Sequence, residues 1–353
     1  MENEKNRILY IDFLRIVSAL AVVMVHSSVR YVILEPIGSS EWWAGNIYNS
    51  FSRFCVPVFF MISGLLLLDS PKSEDLKSFF NKRFKKVLIP FIVWVLIYYF
   101  IDLYWFQKEF SFFGFAREIT GGPVFGHLWF LYTLIGIYLA APIIRLFIKY
   151  SLLEHQFYFL IIWIFFFSVL LLIGKFWNFR IGIPETIFGG YLGYFILGYT
   201  LSKIPEKAGR LNFIFFFAFF FMVFITIIAT YYLCSVKNSY DRFFYDYASL
   251  NVVIMSASIF LIFRSYKDKL SVVFSQRKET LQMISSTTLG VYLIHPLIVR
   301  IFRVSSEHLI GIKFQYMVHP ALNIPITFVV VILTSFFVVY TMKKIPIIKH
   351  IVP

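Results

Sequence analysis

The sequence predicts an all-α polytopic membrane protein of about ten transmembrane helices with both termini cytoplasmic. Three observations predict it. The 353-residue chain is 59% hydrophobic and only 15% charged, against about 45–50% and about 25% in a soluble globular chain. Apolar runs of about 20 residues, the length that crosses a hydrocarbon core, recur from one end of the chain to the other. None of these runs alternates residue by residue as the strands of a membrane barrel do. Together they exclude a disordered chain, a collagen-like chain and an ordinary soluble enzyme.

The predicted spans follow in order. The first, 9–28, is apolar except for Asp12, Arg15 and His26. The second, 54–69, is short, and the third, 87–105, leaves a basic loop through Pro90. The runs 128–148 and 157–174 follow. The sixth, 186–203, carries Gly189, Gly190, Gly193 and Gly198; small residues let helices approach closely in lipid. The last four are 211–234, 245–264, 287–304 and 320–342. Most of the 45 phenylalanines are expected to face lipid, and Trp42, Trp43, Trp105 and Trp129 are expected to form the interfacial aromatic belt or to stack on a ligand.

A net charge of +14 in a soluble chain would suggest nucleic acid. Here it reads as a topology signal. With the N-terminus inside, 21 of the 33 Lys and Arg fall in cytoplasmic segments, 11 in outer loops, and Arg15 within the first span. That bias places both termini inside, with an even number of spans. The first run carries charge and no small-residue cleavage site follows, so no cleaved signal peptide is expected. The longest loops reach about 22–25 residues, so the chain reads as one integral membrane domain, 1–353. Cys55 and Cys234 sit at or inside apolar runs and are expected to form neither a disulfide nor a metal site. There is no metal spacing, phosphate-binding loop or dinucleotide fingerprint.

A charged residue in a spanning helix costs about 2.5–3.5 kcal/mol on insertion scales, so the first span is the informative one. Arg15 and His26 are eleven residues apart, which is three helical turns plus about 20° and about 16 Å of axis. Asp12, three residues before Arg15, falls near the same face. The three form a polar stripe, with Asp12–Arg15 toward the cytoplasm and His26 toward the outside. One reading is an ion pair stabilising the helix entry and a histidine marking the interface. The other is a site through the membrane, with an anion-binding end inside and His26, whose unperturbed pKa is about 6.5, as a general base outside.

This stripe resembles the first span of the membrane acyltransferase-3 family, bacterial enzymes that O-acylate polysaccharides and other surface molecules. Further segments are similar to that family's. They are Ser52-Arg53-Phe54-Cys55-Val56-Pro57 running on to Ser63-Gly64, the loop Phe79-Phe80-Asn81-Lys82-Arg83-Phe84-Lys85-Lys86 before Pro90, His127-Leu128-Trp129-Phe130-Leu131, and Ser286-Thr287-Thr288-Leu289-Gly290 leading to His295. The arrangement looks closest to the branch that O-acetylates enterobacterial common antigen.

The resemblance implies a multi-pass protein of the bacterial inner membrane with cytoplasmic acetyl-CoA as acyl donor and a glycan or lipid-linked saccharide as acceptor. It implies that Lys82, Arg83 and Lys86 bind coenzyme A phosphates, that Arg15 meets the donor deeper in the bundle, and that His295 lines the donor path. Lys82 and Lys86 stand where many relatives carry arginine, which gives point charges in place of bidentate forks. At the outer end Arg53, His127 and Glu185 are candidate acceptor-binding residues, with Asp102 a weaker one; snorkelling of Arg53 and a helix-start hydrogen bond from His127 are the plainer alternatives. The competing functions are a transporter or flippase of lipid-linked saccharides, which would be expected to show inverted repeats, and the membrane module of a larger bifunctional chain.

Overall fold

The computed structural model describes residues 9–69, 75–107, 109–122, 125–179, 190–205, 210–310 and 318–353. Among them the chain is 86% helical with no strand. Among the described residues, nine segments are long and apolar enough to cross a membrane. The helices are α1 (Leu9–Leu34), α2 (Ser40–Phe51), α3 (Cys55–Leu68), α4 (Leu76–Arg83), α5 (Ile89–Phe106), α6 (Phe112–Gly121), α7 (Trp129–Tyr150) and α8 (Leu153–Ile164). They continue as α9 (Leu170–Trp177), α10 (Leu192–Lys203), α11 (Arg210–Lys237), α12 (Leu250–Ser265), α13 (Lys267–Val273), α14 (Lys278–Ile310) and α15 (Pro320–Lys344). Wider π turns, Phe84–Leu88 and Phe165–Val169, join α4 to α5 and α8 to α9. α10 covers the described part of the predicted sixth span and is too short to cross alone; residues 186–189 lie outside the described residues.

The second span differs from the sequence expectation. It runs Ser40–Leu68 as one segment, broken at Ser52–Phe54. Asn46, Asn49, Ser50 and Arg53 make residues 40–53 look like a loop, yet all four side chains are buried. Burial is tolerated because each finds partners. Asn46 donates to the Ile227 carbonyl at 3.0 Å and accepts from the Ser50 hydroxyl at 3.0 Å. Ser39 caps α2 by accepting from the Trp42 N–H. Trp42 is not part of an interfacial belt: it is fully buried and donates Nε1–H to the Val32 carbonyl at 3.1 Å.

α1 is the hub. It packs against α2, α3, α14 and α15. α14 runs parallel to it: the Ser285 hydroxyl donates to Asp12 near the start of α1, and Arg303 donates to the His26 carbonyl further along. Many basic side chains gather at the Asp12 end. Arg145 donates to the Leu67 carbonyl, Arg264 to the Ile204 carbonyl, Lys343 to the Ser286 carbonyl, and Lys203 pairs with Asp69. Pro353 also lies at this end, in the same cavity wall as Arg15. The opposite end carries the Arg300–Asp102 pair at 3.1 Å and Asp241 between Lys175 and Lys237.

The tightest packing is α3 against α10. A Cβ on Gly64 would sit 1.7 Å from the Phe195 carbonyl oxygen, and one on Gly198 would sit 2.1 Å from that of Met61. Backbone touches backbone there, so neither side can yield. Gly198→Val is expected to destabilise the protein by at least the roughly 1–3 kcal/mol of an overpacked core. A thermal melt of the purified protein reads this as a lowered midpoint, with a smaller drop for Gly136→Val, whose added Cβ would meet nothing within 4 Å.

Candidate active site

Two cavities lie along α1, one behind the other. The inner one, about 480 Å³, is lined by Arg15 from α1, Ser63 from α3, Lys86 from the π turn, Tyr138 from α7 and the hydroxyls of Ser285, Ser286 and Thr288 from α14. Asp12 is 1% exposed, accepts from the Ser285 hydroxyl at 2.6 Å, and lies 3.8 Å from the Arg15 guanidinium. The carboxylate thus anchors Arg15 to α14 and aims its positive end into the cavity.

The basic loop divides its charges. Lys86, on the π turn, lines the inner cavity. Arg83 instead folds back on the Phe79 ring, 4.2 Å from its centroid, and donates to the Phe79 carbonyl. Arg145 covers the same ring at 4.7 Å. Lys82 is exposed on α4. The wider turn accommodates an extra residue between α4 and α5, and such turns recur at functional sites.

The outer cavity, about 410 Å³, is lined by His26, Arg53 and His127 together with Trp129, Tyr191 and the loop residues Tyr240, Arg242, Tyr245, Asp246 and Tyr247. His26 is half-buried and opens to this space. The Trp129 ring lies between Tyr247, 5.7 Å away and stacked, and Tyr191 at 5.2 Å. Aromatic faces with a few charged groups among them suit a polyhydroxylated ligand, whose C–H faces stack while its hydroxyls hydrogen-bond.

A third histidine stands beside these two. His295 of α14 is fully buried, and its ring lies 4.9 Å from that of His26 and 5.9 Å from that of His127. Its Nδ1 is 3.1 Å from the Val291 carbonyl. With that nitrogen donating, Nε2 keeps its lone pair. Pro296 follows directly and has no N–H for the Tyr292 carbonyl, which loosens the helix at this point. His127 enters through a single 3₁₀ turn, Gly126–Leu128, before α7. Among the described residues, no hydrogen-bond partner is found for either His127 ring nitrogen or for His295 Nε2. No metal-binding group of side chains occurs among the described residues.

Tyr292 lines both cavities. Its hydroxyl donates to the His127 carbonyl, and its ring sits 5.3 Å from Phe130 on the inner side. It is the wall between the Arg15 chamber and the His26 chamber.

The polar stripe of the first span therefore faces two adjacent chambers that share Tyr292, with Asp12 and Arg15 paired as expected. Arg53 and His127 join His26 in the outer chamber. Asp102 is engaged by Arg300, which also stacks on Trp105 at 4.4 Å. Glu185 lies outside the described residues. Sequence reasoning missed Tyr292, Tyr191 and the loop from Tyr240 to Tyr247. The loop did carry a signal: three tyrosines, two aspartates and an arginine within eight residues at the outer end.

Residues 8–342 match a family model described as an acyltransferase domain. No curated protein and no solved structure matches the chain. The match takes in His26, His127 and His295 and every lining residue of the two chambers except Pro353, and by it the chain belongs to the acyltransferase-3 family and is a membrane acyltransferase.

Proposed function

We propose that this protein is an O-acetyltransferase that moves an acetyl group from cytoplasmic acetyl-CoA to a hydroxyl of a cell-surface glycan or its lipid-linked precursor. The observation that carries the reading is the pair of chambers sharing Tyr292, one cationic and one with histidine, carboxylate and stacked rings. Coenzyme A is an anion at one end and a thioester at the other. Arg15 and Lys86 suit the anionic end through charge-assisted hydrogen bonds, and Lys82 and Arg83 stand at the approach. The axial distance of about 16 Å from Arg15 to His26 is within reach of an extended pantetheine arm. The positive-inside bias supports a cytoplasmic position for the cationic chamber, in keeping with a bacterial inner membrane.

In the outer chamber His26 takes the proton of the acceptor hydroxyl as its oxygen attacks the thioester carbonyl. His26 then returns that proton to the departing thiolate. His127 and Asp246 orient the acceptor, and the rings of Trp129, Tyr191 and Tyr247 stack on it. His295 holds His26 from the α14 side. The likeness to the enterobacterial common antigen branch makes that glycan the first acceptor to supply.

The test is free thiol release from acetyl-CoA by purified protein in nanodiscs, with the glycan followed by mass. Release accompanied by a gain of one acetyl per acceptor is expected. A saccharide transporter would move the glycan across the bilayer and release no thiol.

Tyr292 gives a sharper expectation. Tyr292→Ala merges the chambers and admits water to the thioester, so the ratio of acetyl-CoA hydrolysis to glycan acetylation is expected to rise by roughly tenfold or more. Tyr292→Phe keeps the wall and loses one neutral hydrogen bond, about 0.5–1.5 kcal/mol, so its ratio is expected to stay near that of the wild type.

A further inference from the structure

Arg53 presents an anomaly of charge. It is a guanidinium 9% exposed, in the break of a membrane-spanning segment. Burying a cation away from water is costly unless an anion compensates it. Yet its partners are neutral. Nε donates to Asn49 Oδ1 at 2.7 Å, Nη2 donates to the same oxygen, and Nη1 donates to the Tyr245 carbonyl at 3.2 Å. The Tyr245 ring lies 4.3 Å from its Cζ. Among the described residues no carboxylate lies within ion-pair distance of it.

The group is also held too firmly to reach for the membrane surface. Asn49, which fixes two of its nitrogens, itself donates to the Val25 carbonyl at 3.2 Å and the Ser28 hydroxyl at 3.0 Å, on either side of His26 in α1. The Tyr245 hydroxyl donates to Asn46 at 2.5 Å. Arg53 is thus tied by one short network to the turn of α1 that carries His26, and both line the same chamber. A guanidinium has five N–H donors. Three are used, which leaves two for whatever enters the chamber.

We propose that Arg53 is a catalytic residue of the transfer, its guanidinium holding the oxyanion that forms on the thioester carbonyl. This rests on the acetyl-transfer reading above. The electrons balance as follows. The acceptor oxygen bonds to the carbonyl carbon as His26 takes its proton. The carbonyl π pair moves onto oxygen, where the two remaining Arg53 N–H groups receive it. The pair returns, the C–S bond breaks, and the thiolate takes the proton from His26, giving an ester and coenzyme A thiol. A fixed positive charge in a site screened from bulk water is worth most where negative charge develops. The missing counter-charge of Arg53 is then supplied at the moment of reaction.

Neutral acceptors test this, because they separate an oxyanion from an anionic group on the acceptor. The full chain in nanodiscs is given acetyl-CoA with water alone, then with methanol, and thiol release is followed. Arg53→Gln is expected to lower kcat by about 10²–10³-fold with both acceptors while the KM for acetyl-CoA stays within about threefold, the size of effect seen when one oxyanion donor is removed. Arg53→Lys keeps the charge and loses the fork, so a loss of about tenfold is expected. Wild-type thiol release in Arg53→Gln, or a raised KM at unchanged kcat, would overturn the proposal and leave Arg53 to an anionic acceptor or to structure. If Arg53→Gln does not give a folded protein by thermal melting, Arg53→Lys carries the test, and an unchanged kcat there overturns it. A wild type that releases no thiol to either acceptor would overturn the transferase reading itself, and Arg53's role would fall with it.

Discussion

Replacing His26 with alanine is expected to lower acetyl transfer by about 10²–10⁴-fold, the range that one positioned general base contributes. Acetyl-CoA binding should be nearly unchanged, because the groups proposed to hold its anionic end, Arg15 and Lys86, line the other chamber. Steady-state thiol release gives the first quantity and calorimetric titration with acetyl-CoA the second. The His26 ring packs against His295 at 4.9 Å, so the smaller side chain leaves a gap and some stability will be lost. His26→Gln keeps more of the volume and no base, and it should be as inactive. A variant at either position that retains more than about a tenth of wild-type kcat would remove His26 from the chemistry.

The second large effect belongs to Arg15. A hydrogen bond to a charged group is worth about 1.5–3 kcal/mol, so Arg15→Gln is expected to weaken acetyl-CoA binding by roughly 10–150-fold. It also removes an ion-pair partner of Asp12, 3.8 Å away, whose carboxylate is buried, and weakening the compensation of a buried charge is destabilising. Asp12→Asn combined with Arg15→Gln removes both charges. The double variant should recover much of the thermal stability and none of the affinity. Recovery of both would mean that Arg15 serves the helix entry alone.

The parts of this account that the sequence made legible share one physical reason. Charges in an apolar run are costly, so Asp12, Arg15 and His26 stood out, and helical spacing put them on one face. The same contrast failed over residues 40–53. There Asn46, Asn49, Ser50 and Arg53 read as an outer loop, whereas they are buried polar groups satisfied by one another and by the carbonyls of other helices. Hydropathy records that a residue is polar and carries nothing about who its partner is. His295 was visible as an intramembrane histidine, but its place beside His26 depends on α14 running parallel to α1 from Asp12–Ser285 to His26–Arg303. That is a tertiary fact. The dual role of Tyr292 was hidden for the same reason, since one tyrosine among 22 marks a wall only once two cavities exist.

The central claim is that the donor enters from the Arg15–Lys86 side and reacts at His26. Proteoliposomes test it most directly. The protein is reconstituted in one orientation, fixed by protease access to the basic segment 75–86, and acetyl-CoA is supplied to one face at a time. The account predicts thiol release only when acetyl-CoA is on the face of that segment, with acetylated acceptor appearing on the opposite face. Thiol release from acetyl-CoA supplied at the face of the Tyr240–Tyr247 loop, or equal release from both faces, would contradict it.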